Sequence, residues 1–359
     1  MKKILFVELL GGLGDLVIAL PAIHALALSH PQARLSVLTF PPGAELLAAD
    51  PLVHRLYRAA RGDAGHPDRP RRAVEAILAA ERPDLVVADT MYAGIDALLE
   101  ASGARVVSNL WRHPPEDQLI ERRFLQILQQ EGLIEPWTLD LKPRLSLATA
   151  DRVWAAAQLP QPARRALLHP HAGMPIKRWP AERYVALGQM LRDGYGLEIV
   201  LPAGIGDAEQ ESSRQIAAEL GPQTVILPPG TLRQYAAAAA HLDLVIGADT
   251  GPVRVAAAAG VPSITLFGPT WHGRYGQRPP HINLQGFPEC PLRQPADFTR
   301  QTCWYSGVCP LGMWQNCLED IGVGDVLEAA RRLLDAGTST RWGRPLPAEA
   351  PDVAAGRPR

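Results

Sequence analysis

The sequence predicts an α/β protein made of two doubly wound parallel sheets. Short, continuously apolar runs alternate with segments of helical periodicity along most of the chain, the pattern of strands covered on both faces by crossover helices. The alternation lapses once, in the proline-rich stretch Gln158-Leu159-Pro160-Gln161-Pro162-Ala163-Arg164-Arg165, and then begins afresh. A chain of 359 residues also exceeds one ordinary core, so two domains of about 150 residues each are expected.

In the first series, β-rich runs fall at Lys3–Leu9, Arg34–Phe40, Leu85–Asp89 and Arg105–Asn109, with helical segments at Leu16–Ser29, Arg71–Glu81 and Ile95–Ala101. The second series has strands at Ala166–His169, Leu197–Pro202, Thr224–Leu227, Leu244–Gly247 and Ser263–Phe267. Its helices fall near Ala181–Asp193, Ala208–Leu220, Leu232–His241 and Pro252–Ala259. The expected division is an N-terminal domain over 1–157, a linker over 158–165 and a C-terminal domain over 166–336. From Gly337 to residue 359 the chain is rich in Pro, Ala and Arg without an apolar period, and a disordered tail is expected. Ligands of open α/β sheets bind beyond the carboxyl ends of the strands, so two such sheets face to face make a cleft with a crevice on each wall. That layout suits an enzyme with two substrates.

Composition narrows the partners. With 36 Lys and Arg against 37 Asp and Glu the net charge is −1, which excludes the broad basic field that nucleic-acid binders carry. No apolar run reaches the roughly 18 residues needed to cross a bilayer, and Met1-Lys2-Lys3 leads into a strand pattern, so a cytoplasmic protein is expected.

The most informative stretch is Val245-Ile246-Gly247-Ala248-Asp249-Thr250-Gly251-Pro252. An apolar strand ends there in Asp-Thr-Gly and a helix starts at once, with Pro252 in its first turn where a missing N–H costs nothing. Such a junction aims unpaired N–H groups and the positive end of the helix at whatever lies above the strand, and Gly251 admits a ligand close to the main chain. A diphosphate is the anion that fits it.

The first strand-to-helix turn, Glu8-Leu9-Leu10-Gly11-Gly12-Leu13-Gly14-Asp15, begins like a dinucleotide fingerprint but has Val17 at the sixth position. The second strand also ends in Thr39-Phe40-Pro41, with no carboxylate for a ribose. What remains is a glycine loop of Gly11, Gly12 and Gly14 presenting Asp15 at a helix start. Helix capping and general-base catalysis each account for an acid at that place. In the second half, Lys177-Arg178-Trp179-Pro180 supplies two adjacent cations at a strand's carboxyl end, suited to phosphate, although a solvated basic pair has the same appearance.

Together Leu10–Pro21, Lys177-Arg178-Trp179-Pro180, Asp249-Thr250-Gly251-Pro252 and Leu266-Phe267-Gly268-Pro269-Thr270 resemble the bacterial ADP-heptose:lipopolysaccharide heptosyltransferase family, in order, to about residue 330. The resemblance implies a GT-B fold, two Rossmann-like domains facing across a cleft, with acceptor on the N-terminal domain and nucleotide sugar on the C-terminal one. It implies inverting transfer of a heptose from an ADP donor to a lipopolysaccharide core. Carried over by position, Asp15 is the base that deprotonates the acceptor hydroxyl, Lys177 neutralises the departing diphosphate, and Asp249, Thr250 and Gly251 contact the donor. Glu209 corresponds to the ribose-binding acid, with Asp207 competing for the role. Arg254 stands where the family usually has His, and keeps the capacity to pair with phosphate. Cations and a helix N-terminus meet the leaving-group charge, so no cofactor and no divalent metal is required. A nucleotide-sugar epimerase of the same architecture and a non-catalytic nucleotide-sugar binder are the alternatives.

Cys290, Cys303, Cys309 and Cys317 lack paired Cys-x-x-Cys knuckles and read first as reduced structural thiols, then as a metal site, then as disulfides. Trp111-Arg112-His113 and Arg122-Arg123 fit an acceptor groove or peripheral contact with the anionic cytoplasmic membrane leaflet, solvated helix faces account equally for Arg122 and Arg123, and His169 and His171 fit packing or capping.

Overall fold

The structure is a computed structural model and describes residues 1–112, 115, 117–160, 163–313 and 315–337. Among these, strands β1 (Lys3–Val7), β2 (Arg34–Thr39), β3 (Arg55–Arg58), β4 (Leu85–Ala88) and β5 (Arg105–Val107) form a parallel sheet in the order β3-β2-β1-β4-β5. Strands β6 (Arg165–His169), β7 (Glu198–Pro202), β8 (Val225–Leu227), β9 (Leu244–Ala248), β10 (Ser263–Phe267) and β11 (Ile282–Gln285) form a second, in the order β11-β10-β9-β6-β7-β8. Each sheet reverses its winding direction once, between β1 and β4 in the first and between β6 and β9 in the second. Those two switch points are where an open α/β sheet leaves a crevice.

The helices in chain order are α1 (Leu13–Ser29), α2 (Pro41–Leu47), α3 (Arg69–Glu81), α4 (Ile95–Glu100), α5 (Ile120–Gln130), α6 (Thr149–Gln158) and α7 (Ala181–Tyr195). They continue with α8 (Asp207–Leu220), α9 (Leu232–Ala239), α10 (Gly251–Ala258), α11 (His272–Tyr275), α12 (Thr302–Ser306) and α13 (Val323–Gly337). Side-chain alternation along β1 shows why both faces need cover. Ile4 and Phe6 pack with α1 and α5, while Leu5 and Val7 pack with Val74, Ile77 and Leu78 of α3 and with α4. In the second sheet Leu168, Ile246 and Leu266 face α7 and α13, whereas Leu167 and Val245 face α6, α9 and α10.

The edge strands β3 and β11 go beyond the sequence expectation. Arg55-Leu56-Tyr57-Arg58 and Ile282-Asn283-Leu284-Gln285 are short and half polar, as edges are, and so lack the apolar run that marks an inner strand. The crossing between sheets also falls earlier than 158–165. Helix α6 already buries Ala155, beside Leu159, against the second sheet, and the extended stretch 141–148 carries the chain across, with the Leu145 N–H donating to the Ala258 carbonyl at 2.9 Å. Gln161 and Pro162 of the expected linker, and the expected tail beyond Gly337, lie outside the described residues.

The two halves are tied by specific bonds as well as by a shared apolar core that includes Val255, Phe267 and Tyr275. Glu45 at the end of α2 accepts from the Leu232 N–H that opens α9 at 2.5 Å, Trp271 donates to Asp117 at 2.6 Å, and Arg278 pairs with buried Glu121 at 2.5 Å. Removing one partner of a buried ion pair strands the other, so Arg278→Ala should cost about 3 kcal/mol in urea unfolding. A loss below about 1 kcal/mol would mean the pair is effectively solvated.

Candidate active site

The carboxyl ends of β6 and β9 adjoin at the second switch point, with His169 in register with Gly247. Two residues beyond Gly247, Asp249 is buried, its side chain 7 % exposed, and three donors converge on it. Lys177 Nζ donates to Oδ2 at 3.1 Å and to the Asp249 carbonyl at 3.0 Å, Arg254 Nη2 donates to Oδ1 at 2.7 Å, and Thr270 Oγ1 donates to Oδ2 at 2.7 Å. Burial alone would raise the Asp249 carboxyl, but the Lys177 and Arg254 charges outweigh it and hold the group well below the ordinary carboxylate range. Asp249 is therefore an ionised anchor that orients two cations. Arg254 also donates to the Tyr275 carbonyl, and Lys177 lies 5.1 Å from the centroid of the Trp304 ring of α12, a contact the sequence did not announce.

Helix α10 begins at this point with Pro252 in its first turn, and Thr250 precedes it in extended conformation. The Thr250 hydroxyl is buried without a partner, next to the unpaired N–H groups of the helix start. A ligand oxygen satisfies both.

The first turns of α1 and α10 pack against each other. A Cβ at Gly251 would lie 2.7 Å from Leu13 Cβ, and one at Gly14 would lie 3.2 Å from Arg254 Cδ, so the approach requires glycine at both places. Gly11 has φ +97°, and Arg61 donates to its carbonyl. Asp15 follows in the first turn of α1, accepting from the Gly12 N–H at 3.0 Å. Burial raises the Asp15 carboxyl above the ordinary range, while the Gly12 N–H and the charges of Arg254 and Lys177 pull it back. The same carboxylate closes the helix turn and faces the cations of the other half.

The remaining sequence candidates are placed apart from this cluster. Arg178 is exposed and turns back to donate to the Ala172 carbonyl at 3.0 Å. Glu209, in the first turn of α8, accepts from the Ile205 N–H at 2.9 Å and lies 3.9 Å from His171 Nδ1, while Asp207 is exposed. His169 and His171 are buried and bonded within the loop and to Ser213, and burial lowers both, His169 to about 4. Arg112 is committed to Glu131 at 2.8 Å and Trp111 packs against Phe124; His113 lies outside the described residues. All four cysteines are free and line one small pocket, and among the described residues no group of His, Cys, Asp or Glu is placed to hold a metal ion. A cavity of about 830 Å³ runs between α1 and α10 past Arg254, and neither Asp15, Lys177 nor Asp249 lines it.

Two residues escaped the sequence reading. Glu8 and Asp89 follow β1 and β4 at the first switch point, and both are buried. Burial raises Glu8 to about 7 against the hydrogen bond from Thr39, and raises Asp89 well above the usual range, with the Glu8 charge adding to it. A glutamate closing a strand carries no local signal; only the pairing register sets it beside Asp89.

Residues 86–299 match glycosyltransferase family 9 (heptosyltransferase). The chain belongs to this family. Among relatives of family 9, lipopolysaccharide heptosyltransferase 3 of Escherichia coli is 24 % identical over 284 residues, covering 72 % of this chain and 82 % of that protein. The family 9 glycosyl transferase structure from Veillonella parvula superposes with a TM-score of 0.75 at 18 % identity, covering 93 % of this chain and 98 % of that one. The E. coli heptosyltransferase WaaC with ADP gives 0.64 at 18 %, covering 92 % and 100 %. The fold is accordingly GT-B, and the protein is a glycosyltransferase. Among the described residues no helix is long and apolar enough to cross a membrane.

The raised and lowered carboxyls predict opposite pH dependences. A carboxyl raised on folding contributes stability at low pH that is lost as pH climbs through its folded value, so Glu8 weakens the protein on going from mildly acidic to neutral conditions. Asp249, lowered on folding, contributes above its unfolded value and loses that only under strong acid. Unfolding stability should therefore drop by about 2 kcal/mol between mildly acid and mildly alkaline solution, and Glu8→Gln should flatten the fall. A stability that rises across neutrality would contradict the placement of Glu8.

Proposed function

We propose that this family 9 enzyme transfers a heptose, with inversion, from an ADP-activated donor to a lipopolysaccharide-core-like acceptor. The observation that carries the reading is the opposition of Asp15 on one half to the Lys177–Asp249–Arg254 cluster and the start of α10 on the other. The acceptor hydroxyl, held above the loop of Gly11, Gly12 and Gly14, attacks the anomeric carbon as the bond to the diphosphate oxygen breaks. The bonding pair leaves with the diphosphate and the hydroxyl proton passes to Asp15. Lys177, Arg254, the Gly251 end of α10 and the Thr250 hydroxyl face the developing negative charge, a preorganised set that needs no further movement. Glu209 is the acid for the donor's ribose, with exposed Arg178 at the rim of the same crevice. Arg254 in place of the family's usual His suits the phosphate role, because its guanidinium is already oriented by Asp249.

An ADP donor is supported by the structural relative WaaC, solved with ADP, and by sequence relatives that are lipopolysaccharide heptosyltransferases. Membership in a transferase family sets aside the epimerase and the non-catalytic binder. Peripheral contact with the cytoplasmic leaflet belongs to the same proposal, with Arg122 of α5 exposed and available to anionic headgroups.

Asp15→Asn should lower transfer by at least about a hundredfold, the usual worth of a positioned base, while ADP still raises the melting temperature as in the parent. Turnover within a few fold of the parent would remove Asp15 from the base role. The scheme places all leaving-group stabilisation on protein groups, so turnover should persist after exhaustive treatment with a chelator. Loss of activity restored by a divalent cation would overturn that part.

A further inference from the structure

The first switch point holds a pair of acids that the transfer scheme does not use. Val7 of β1 is in register with Ala88 of β4, so Glu8 and Asp89 are the next neighbours across two strands about 4.8 Å apart. Glu8 is 1 % and Asp89 3 % exposed. Each is half satisfied: Thr39 donates to Glu8 Oε2, while Thr90 Oγ1 at 2.6 Å and the Leu9 N–H at 3.4 Å donate to Asp89 Oδ1. Glu8 Oε1 and Asp89 Oδ2 are buried with no hydrogen bond, and the Gly11 and Leu10 N–H groups near Glu8 only partly offset its burial. Among the described residues neither acid forms an ion pair.

The titratable and charged groups around them are few. Asp15 acts on both from α1. Tyr92, beyond β4, donates its hydroxyl to the Leu9 carbonyl at 2.8 Å, and Arg61, beyond β3, lies 4.5 Å from the centroid of the Phe40 ring with its hydrogen bond directed to Gly11. Among the described residues no cation is placed to compensate two buried negative charges side by side, and such a pair does not ionise twice.

We propose that Glu8 and Asp89 retain one proton between them at neutral pH, and that the negative charge this pair carries strengthens Asp15 as a base. The inference rests on Asp15 being the base. The direction follows from reciprocity: the Asp15 charge raises Glu8, so an ionised Glu8 raises the proton affinity of Asp15 equally. Glu8 is raised to about 7 and Asp89 is raised beside it, so the first ionisation belongs to the pair as a unit and falls near neutrality. Both acids are positioning residues, acting on substrate only through Asp15.

The test is the pH dependence of turnover in the wild-type enzyme and in the double variant Glu8→Gln/Asp89→Asn, which keeps shape and removes both ionisations. Wild type should show two rises, one as Asp15 ionises in acid and a second of about 3- to 10-fold across neutrality as Asp15 becomes a stronger base. The double variant should keep the first and lose the second. Identical profiles would overturn the proposal. Infrared spectra of the wild type supply a readout independent of how the variant folds: a protonated-carboxyl band should be present at neutral pH and weaken without vanishing as the pair gives up its first proton, and its absence at neutral pH would also overturn the proposal. Failure of the base assignment is separately visible, since it requires an active Asp15→Asn.

Discussion

The structure depends on one buried carboxylate. Asp249 sits at the switch point of the second sheet and holds Lys177 and Arg254 on opposite oxygens, with Thr270 as a third donor. Without it, two cations from different loops would repel at close range in a poorly solvated place. With it, they form a fixed positive surface beside the start of α10. Nearly all the Coulombic benefit goes to order, because the desolvation of three charges offsets much of their attraction. What the arrangement secures is a preorganised receptor for an anion.

A second constraint is the meeting of two helix N-termini. The starts of α1 and α10 carry the positive ends of their dipoles into the same space, along with Lys177 and Arg254. Two acids, Asp15 and Asp249, counter that charge, and their fates differ. Asp249 is locked between cations and ionised throughout, while Asp15 keeps a raised proton affinity and one hydrogen bond, from Gly12. The difference in environment separates a structural anion from a group able to take a proton. Gly14 and Gly251 make this possible by letting the main chains close to within side-chain contact.

Much of the architecture was legible because inner parallel strands announce themselves as continuous apolar runs and α10 begins with its own punctuation, Asp249-Thr250-Gly251-Pro252. The edges were not, since Arg55–Arg58 and Ile282–Gln285 are strands only by virtue of their neighbours. Helix α6 follows an extended crossing that holds a single proline, Pro143, whereas the proline-rich stretch after the helix suggested a boundary. In the site, Lys177 and Arg178 are indistinguishable as a sequence pair, yet only the first reaches Asp249, because Lys177 closes a 3-10 turn and Arg178 leaves it in extended conformation. Glu8 and Asp89 lie 81 positions apart, and only strand order makes them neighbours. Trp304 joined the site by folding back from α12, beyond the reach of any local pattern.

The proposed receptor for a diphosphate is the cationic surface that Asp249 assembles from Lys177 and Arg254 on one half of the protein. It is tested most directly by calorimetric titration of ADP and of adenosine into the wild-type protein and the Lys177→Ala and Arg254→Ala variants. The account predicts that ADP binds at least about tenfold more tightly than adenosine, and that this margin shrinks in both variants while adenosine affinity holds. Equal affinities for ADP and adenosine in the wild type, or a margin unchanged in both variants, would contradict it.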